Sequence, residues 1–298
     1  MRLTALILGA GVPEGDFSGR VLEVHARACL VAASDETCVT LATAALGALP
    51  CGIMLDTPPE FSFRKVLATD ADVAARGGIL RVAGGALAVD LRAARTWRSE
   101  LPGLNLDLHR PASRAAWLDL AAAVLADGRA DALRDSAAAA IAALTAATRA
   151  RDTAAAQRAM SRLIGLGEGR TPAGDDYLVG YAAGLLACGE AGPPAAFTAV
   201  LLSELGRLAK GTNRVSRLYL EAAAHGEISQ RLHRVAAAVA RGADRAERDR
   251  AVIDALAVGH SSGAAGVLGL LHGSAAGNGS LLETGTGAAG PPTAPGVV

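Results

Sequence analysis

The sequence predicts an α+β protein, with an N-terminal strand-rich domain (a small barrel or sandwich-like fold) followed by a C-terminal all-helical domain. Three observations carry this expectation. Up to about residue 110 the chain falls into short apolar runs with β-branched residues, interrupted by Gly, Pro and Asp. From Ala112 onward Ala, Leu and Arg dominate, with a repeat near the helical period. The change comes between Pro102 and Pro111, two residues that neither strand nor helix interiors accept easily. The expected bounds are 1–110 for the strand-rich domain, 111–276 for the helical domain and 277–298 for a disordered tail of Gly, Pro, Ser and Thr.

Within the first domain the runs VLEVHARACLVAA, CVTLATAAL, CGIMLD and ILRVAGGALAVDL read as strands. Ala83-Gly84-Gly85 between ILRV and ALAVDL predicts a hairpin. GAGVPEG near residue 9 reads as a plain loop, and His25, set in an apolar run, as a core histidine. In the second domain Gly128 and Arg151-Asp152-Thr153 divide residues 112–163 into helices. Further helices are expected over 174–188, 195–210, 215–225, 229–241, 247–257 and 264–271. Trp97 and Trp117 flank the junction and are expected to pack it. His225 and His233 lie near helix ends, and Asp254 and His260 lack metal-ligand spacing.

Composition narrows the function classes. Of 298 residues 51% are hydrophobic and only 3% aromatic, so the core must close through small side chains. Formal net charge is zero, which argues against a nucleic-acid or membrane-surface partner. No stretch is long and apolar enough to predict a membrane span. Cys29, Cys38, Cys51 and Cys188 show no CxxC spacing and read as buried free thiols of a cytoplasmic protein. The N-terminal MRLTALILGAGVPEG is too short and too lightly charged for a signal peptide.

Three polar islands interrupt the apolar helical half. The first is GLGEGRTPAGDD, residues 165–176. Thr171 as cap, Pro172 at the first helical position and Asp175 and Asp176 in the first turn make a sound helix start. That leaves the spaced glycines, Gly167 and Gly169 among them, and the second carboxylate unexplained. Glycines let backbone N–H groups converge on an anion or admit a ligand close to the chain. The run is neither a phosphate-binding Walker loop nor a dinucleotide fingerprint. The second island is KGTNRVS, where Thr212 or Asn213 caps a helix and Arg214 and Ser216 sit near its start. The third is VGHSSGAAG, with His260, Ser261 and Ser262 ahead of the last helix. A Ser–His nucleophile is one reading; donors to an oxyanion and a simple capping turn are the others. Read together, the three predict helix N-termini converging on a small carboxylate or phosphate compound, with Gly174 at the helix start and Arg170 and Arg214 completing the site.

GLGEGRTPAGDDYLVGYAAGL resembles the G-x-G-x-G-x-T-P-S-G-D-D signature of a bacterial family that includes the third subunit of oxamate carbamoyltransferase of anaerobic allantoin catabolism. The similarity extends to TNRVSRLYLEAAAHGEIS, GHSSGAAGVLGLL, LGALPCGIML and ALAVDLRAARTW, covering most of residues 20–275. Two positions depart from the family pattern: Ala173 stands in place of Ser, and Ala265 in place of an acidic residue.

The resemblance implies a subunit of a complex that converts oxalurate and phosphate into oxamate and carbamoyl phosphate, alongside other subunits including one similar to acyl-CoA synthetases. All four compounds are small anions, as the islands require. On this reading Asp175 and Asp176 orient the carbamoyl –NH2 or hold Mg²⁺ against a phosphate, Arg170 and Arg214 pair with carboxylate or phosphate, and Ser261, Ser262 and His260 serve the developing oxyanion. Two alternatives remain open: a non-catalytic anion-binding or assembly subunit, and a stand-alone transferase or ligase for another small carboxylate or amide.

Overall fold

The computed structural model describes residues 1–33 and 37–279. The N-terminal half is a closed barrel. Its strands are β1 (Arg2–Gly9), β2 (Phe17–Val24), β3 (Ala28–Ala32), β4 (Cys38–Thr43), β5 (Gly52–Asp56), β6 (Asp72–Arg76), β7 (Ile79–Val82) and β8 (Leu87–Asp90). They neighbour one another in the order β5-β4-β3-β2-β6-β7-β8-β1, and β1 closes the ring on β5. Most pairs are antiparallel; β4–β5 and β1–β8 are parallel. A short ninth strand, β9 (Arg95–Trp97), continues alongside the far end of β1. The expected hairpin at 83–85 joins β7 to β8.

Alternation fills the barrel. Val21, Cys29, Val31, Val39, Leu41, Ile53, Leu55, Val73, Leu80, Val82, Leu87 and Val89 form its interior. β1 and β6 carry the same alternation over only a few residues, at Leu3 and Ala5 and at Val73 and Ala75, too short a pattern to mark either strand in the sequence. Strand β4 is buried along its whole length. One face looks into the barrel, and the other is covered by the helical half.

The helical half begins after an extended segment. It comprises α1 (Pro111–Asp127), α2 (Asp131–Ala150), α3 (Thr153–Leu163), α4 (Ala173–Ala187), α5 (Ala195–Leu208), α6 (Arg214–Ala224), α7 (Gln230–Arg241), α8 (Arg245–Leu256) and α9 (Ser262–Gly277). Gly128, left-handed, ends α1, and Asp152 caps α3 by accepting from the Ala155 amide, so both expected breaks are present. Helix α9 runs two turns further than its apolar repeat suggested. Gly277 lies within it, and buried Asn278 accepts from the Leu108 amide while donating to the Leu106 carbonyl. The first residues of the expected tail are therefore structured; those from 280 lie outside the described residues.

The centre of the helical half is the pair α4 and α9. Both are apolar on nearly every face, as buried central helices are. They run parallel, backbone against backbone. A methyl group on Gly180 would come within 1.9 Å of the Gly266 carbonyl oxygen, and one on Gly269 within 2.0 Å of the Tyr177 carbonyl oxygen. Gly184 and Gly273 repeat these contacts one turn on. An aromatic-poor chain thus gains its packing density by letting helix axes approach more closely than side chains normally allow. The parallel course also sets both helix N-termini at one end, facing the barrel.

Hydrogen bonds fix the barrel to this frame. The Gln230 amide donates to the Ala48 carbonyl at 2.8 Å. Trp97 Nε1 donates to the Ile228 carbonyl at 3.1 Å, and the Ser99 amide donates to Glu227 at 2.9 Å. Trp97 therefore packs the junction as expected. Trp117 does not: it is buried among the helices, where Nε1 donates to the Leu271 carbonyl.

Candidate functional site

A pocket of about 530 Å³ lies between the barrel and the starts of α4 and α9. Its helical side carries Gly169, Arg170, Thr171 and Asp176 from the first island and His260, Ser261 and Ser262 from the third. The Thr171 and Ser262 hydroxyls share a hydrogen bond of 2.9 Å across the two helix starts. Thr171 does not cap α4 as expected; its hydroxyl is turned to the neighbouring helix, and Pro172 takes the cap position. The parallel course of α4 and α9 is what brings together residues ninety positions apart. Aligned helix dipoles at one end also place two partial positive charges beside the same cavity.

The adjacent aspartates have different surroundings. Asp175 is buried, and both its oxygens are engaged: Oδ1 accepts from the Gly165 amide at 2.7 Å and Oδ2 from the Thr212 hydroxyl at 2.6 Å. It does not line the pocket. It ties the glycine loop and the approach to α6 onto α4. Asp176 does line the pocket, and its Oδ2 is buried without a hydrogen-bond partner. Burial pushes its carboxyl up to about 7, against the opposing pull of the Ser262 and Thr171 hydroxyls. The second carboxylate that a helix cap could not account for is therefore the one left facing the cavity.

The second island sits elsewhere than expected. Thr212 is occupied by Asp175, and Asn213 caps α6 by accepting from the Val215 and Ser216 amides. Ser216 is buried with its hydroxyl unpartnered. None of Thr212, Asn213, Arg214 and Ser216 lines the pocket; α6 contributes Val215 and Tyr219 instead. Burial pushes the Tyr219 phenol up to about 12, which keeps it a neutral hydroxyl beside the cavity. Gly167 and Gly174 are also outside the lining. Gly174 is required by packing, since a methyl there would meet the Leu163 carbonyl oxygen at 2.1 Å. Gly167 and Gly169 both hold positive φ, the conformation that lets the loop turn back onto α4.

The barrel wall was not read from the sequence as part of the site. Strands β3 and β4 present their outward residues, Ala28, Leu30 and Thr40, to the cavity, and the loop between β4 and β5 adds Leu46, Leu49 and Pro50. Strand β2 bears a bulge: Val21 pairs with Val31, but Glu23 pairs with Leu30. The extra residue turns Glu23 from the barrel interior to the pocket face. Glu23 and His25 there meet Arg170, which forms an ion pair with Glu23. His25 is therefore a pocket residue and not a core histidine. No periodicity signal could have shown this, because the bulge breaks the alternation that such readings use.

These contacts alter the expected electrostatics. Arg170 is held by Glu23. The other lining arginine, Arg231, donates to the Asp254 carbonyl at 2.8 Å and to the Ala45 carbonyl. Glu168 and Glu227 add negative charge to the lining. The cavity is thus a mainly apolar space with charges of both signs in its lining, not a cationic anion trap. Among the described residues no group of three or more His, Cys, Asp and Glu is placed to hold a metal ion. With Asp175 committed to the loop clamp, the donors at this end do not suit Mg²⁺. All four cysteines are buried thiols, and burial raises those of Cys29, Cys51 and Cys188 to about 12, 11 and 12. No described helix is long and apolar enough to cross a membrane.

Neither the curated proteins nor the solved structures include a match to the chain. The family described as oxamate carbamoyltransferase subunit AllH matches residues 163–274, from the end of α3 through most of α9, and so supports the family read from the glycine loop and its Thr-Pro-x-Gly-Asp-Asp motif.

Proposed function

We propose that this chain is a subunit of a carbamoyltransferase-type complex, and that its pocket receives the carbamoyl end of the substrate. The observation that carries this reading is the meeting of two sequence-distant polar islands at one cavity, around a carboxyl with an unpartnered oxygen. A carbamoyl group has an –NH2 that donates and a carbonyl oxygen that accepts. Asp176, ionised, accepts from the –NH2. The hydroxyls of Ser261, Ser262 and Thr171 and the positive ends of α4 and α9 face the carbonyl oxygen, where carbamoyl transfer builds negative charge.

The reaction the family suggests is oxalurate plus phosphate giving oxamate plus carbamoyl phosphate. Phosphate would meet Arg170 already paired with Glu23 and Arg231 already turned to two backbone carbonyls, with Glu168 and Glu227 in the same lining. This favours a division of labour: the present chain holds the carbamoyl group, and a second subunit supplies the phosphate contacts. His260, next to Ser261 in the lining, is the imidazole we assign to proton movement.

The test is thermal stability of the purified chain with oxamate, oxalurate, carbamoyl phosphate and phosphate, repeated with Asp176→Ala. A ligand at a hundred times its Kd stabilises by about 2.7 kcal/mol, a shift of roughly a few degrees for a chain of this size. The reading expects shifts from the carbamoyl-bearing compounds that vanish in the variant. Equal shifts in wild type and variant would place binding elsewhere.

A further inference from the structure

The cavity is far larger than oxamate or oxalurate requires. About 530 Å³ is the scale of a drug-sized ligand, whereas those anions have only a handful of heavy atoms. Its polar groups are also unevenly placed. Thr171, Asp176, Ser261 and Ser262 gather at the helix starts, while Leu30, Leu46, Leu49, Pro50, Val215 and Leu232 make most of the remaining wall, with Thr40 and the neutral Tyr219 hydroxyl set among them. Leu30 is only 7% exposed, yet it belongs to neither buried cluster, because it points out of the barrel into this space. A small anion at the polar end would leave most of the wall uncovered.

We infer that the pocket takes a carbamoyl or primary-amide compound bearing an apolar body, with the amide end at Asp176 and the body against the barrel wall. The inference rests on the carbamoyl reading of the polar end and adds the substrate class to it. The end groups fix orientation, because a primary amide offers –NH2 donors to Asp176 and a carbonyl acceptor to the hydroxyls. The wall supplies affinity, since each buried methylene contributes about a factor of four. The bulge in β2 serves the same arrangement, holding Glu23 and Arg170 as a neutral pair at the rim.

Isothermal titration of the full chain with N-carbamoylglycine, N-carbamoyl-L-leucine, L-leucine and oxalurate tests this. The expected result is that N-carbamoyl-L-leucine binds at least about ten-fold more tightly than N-carbamoylglycine, and that L-leucine, which lacks the carbamoyl group, does not bind. In Leu30→Gln, with an unchanged melting temperature, the advantage of N-carbamoyl-L-leucine over N-carbamoylglycine should fall several-fold. Equal or weaker binding of N-carbamoyl-L-leucine, with oxalurate still binding, would overturn the apolar-body inference and leave the carbamoyl reading standing. Binding of L-leucine as tight as that of its carbamoyl derivative, or no binding by any of the four, would overturn both.

Discussion

The middle and the opening of the α4–α9 pair are built in opposite ways. In the middle, glycines bring two backbones into contact, Tyr181 donates to Thr148 at 2.7 Å, and the space between the helices is closed. At the opening, the same two helices end on hydroxyls, an unpartnered carboxyl oxygen and a cavity. One stiff unit thus both closes the core and holds the site. Because the helices cannot slide or separate without breaking the glycine contacts, Thr171 and Ser262 stay within hydrogen-bond distance although they lie 91 positions apart in the chain.

The largest effect should come from the middle. Gly269→Val would force a side chain into the Tyr177 carbonyl, and the expected cost exceeds about 4 kcal/mol, enough to unfold the chain in a urea titration. Next is the clamp beside the opening. Asp175→Ala leaves the Gly165 amide and the Thr212 hydroxyl without their acceptor, so chemical denaturation should show a loss of about 2–4 kcal/mol, with ligand binding lost as the loop moves.

The opening itself should behave differently. Asp176→Asn is expected to weaken oxalurate binding by roughly ten-fold, the worth of one charge-assisted hydrogen bond, without loss of stability. The pH dependence gives its sign. The folded-state carboxyl is raised to about 7, whereas an unfolded one titrates near 4, so the folded chain holds an extra proton between these values. Stability therefore falls as pH rises from about 4 to about 7 and is level above. Asp176→Asn removes this loss, so it should match wild type near pH 4 and exceed it by about 4 kcal/mol at pH 8. The smallest effect belongs to the rim. Arg170→Ala breaks a largely exposed ion pair with Glu23 and should change the melting free energy by no more than about 1 kcal/mol, less at high salt.

The same comparison shows what the sequence could reveal. Gly128, Asp152, Asn213 and the spaced glycines act locally, through φ angles and caps, so helix breaks and the unusual character of the first island were legible. The parallel course of α4 and α9 was not, because no local signal states which helix ends will meet. The roles of Asp175 and Asp176 were also hidden. They differ by one position in a helix turn, and only the tertiary partners, Gly165 and Thr212 for one and the cavity for the other, separate them. Arg214 and Ser216 looked equivalent to Arg170 and Ser262 in sequence, yet the capping turn carries them away from the lining. The barrel wall was least legible of all. Leu30 and Thr40 are ordinary strand residues whose outward face becomes functional only because helices cover it.

The most direct measurement is the carboxyl titration of Asp176, followed by carbon NMR of aspartate-labelled protein with and without saturating oxalurate. The expected midpoint is near pH 7 in the free chain and lower with ligand, because the carbamoyl –NH2 stabilises the ionised form. A midpoint near the ordinary carboxyl value, or one that bound oxalurate leaves unmoved, would contradict the claim that Asp176 receives the ligand.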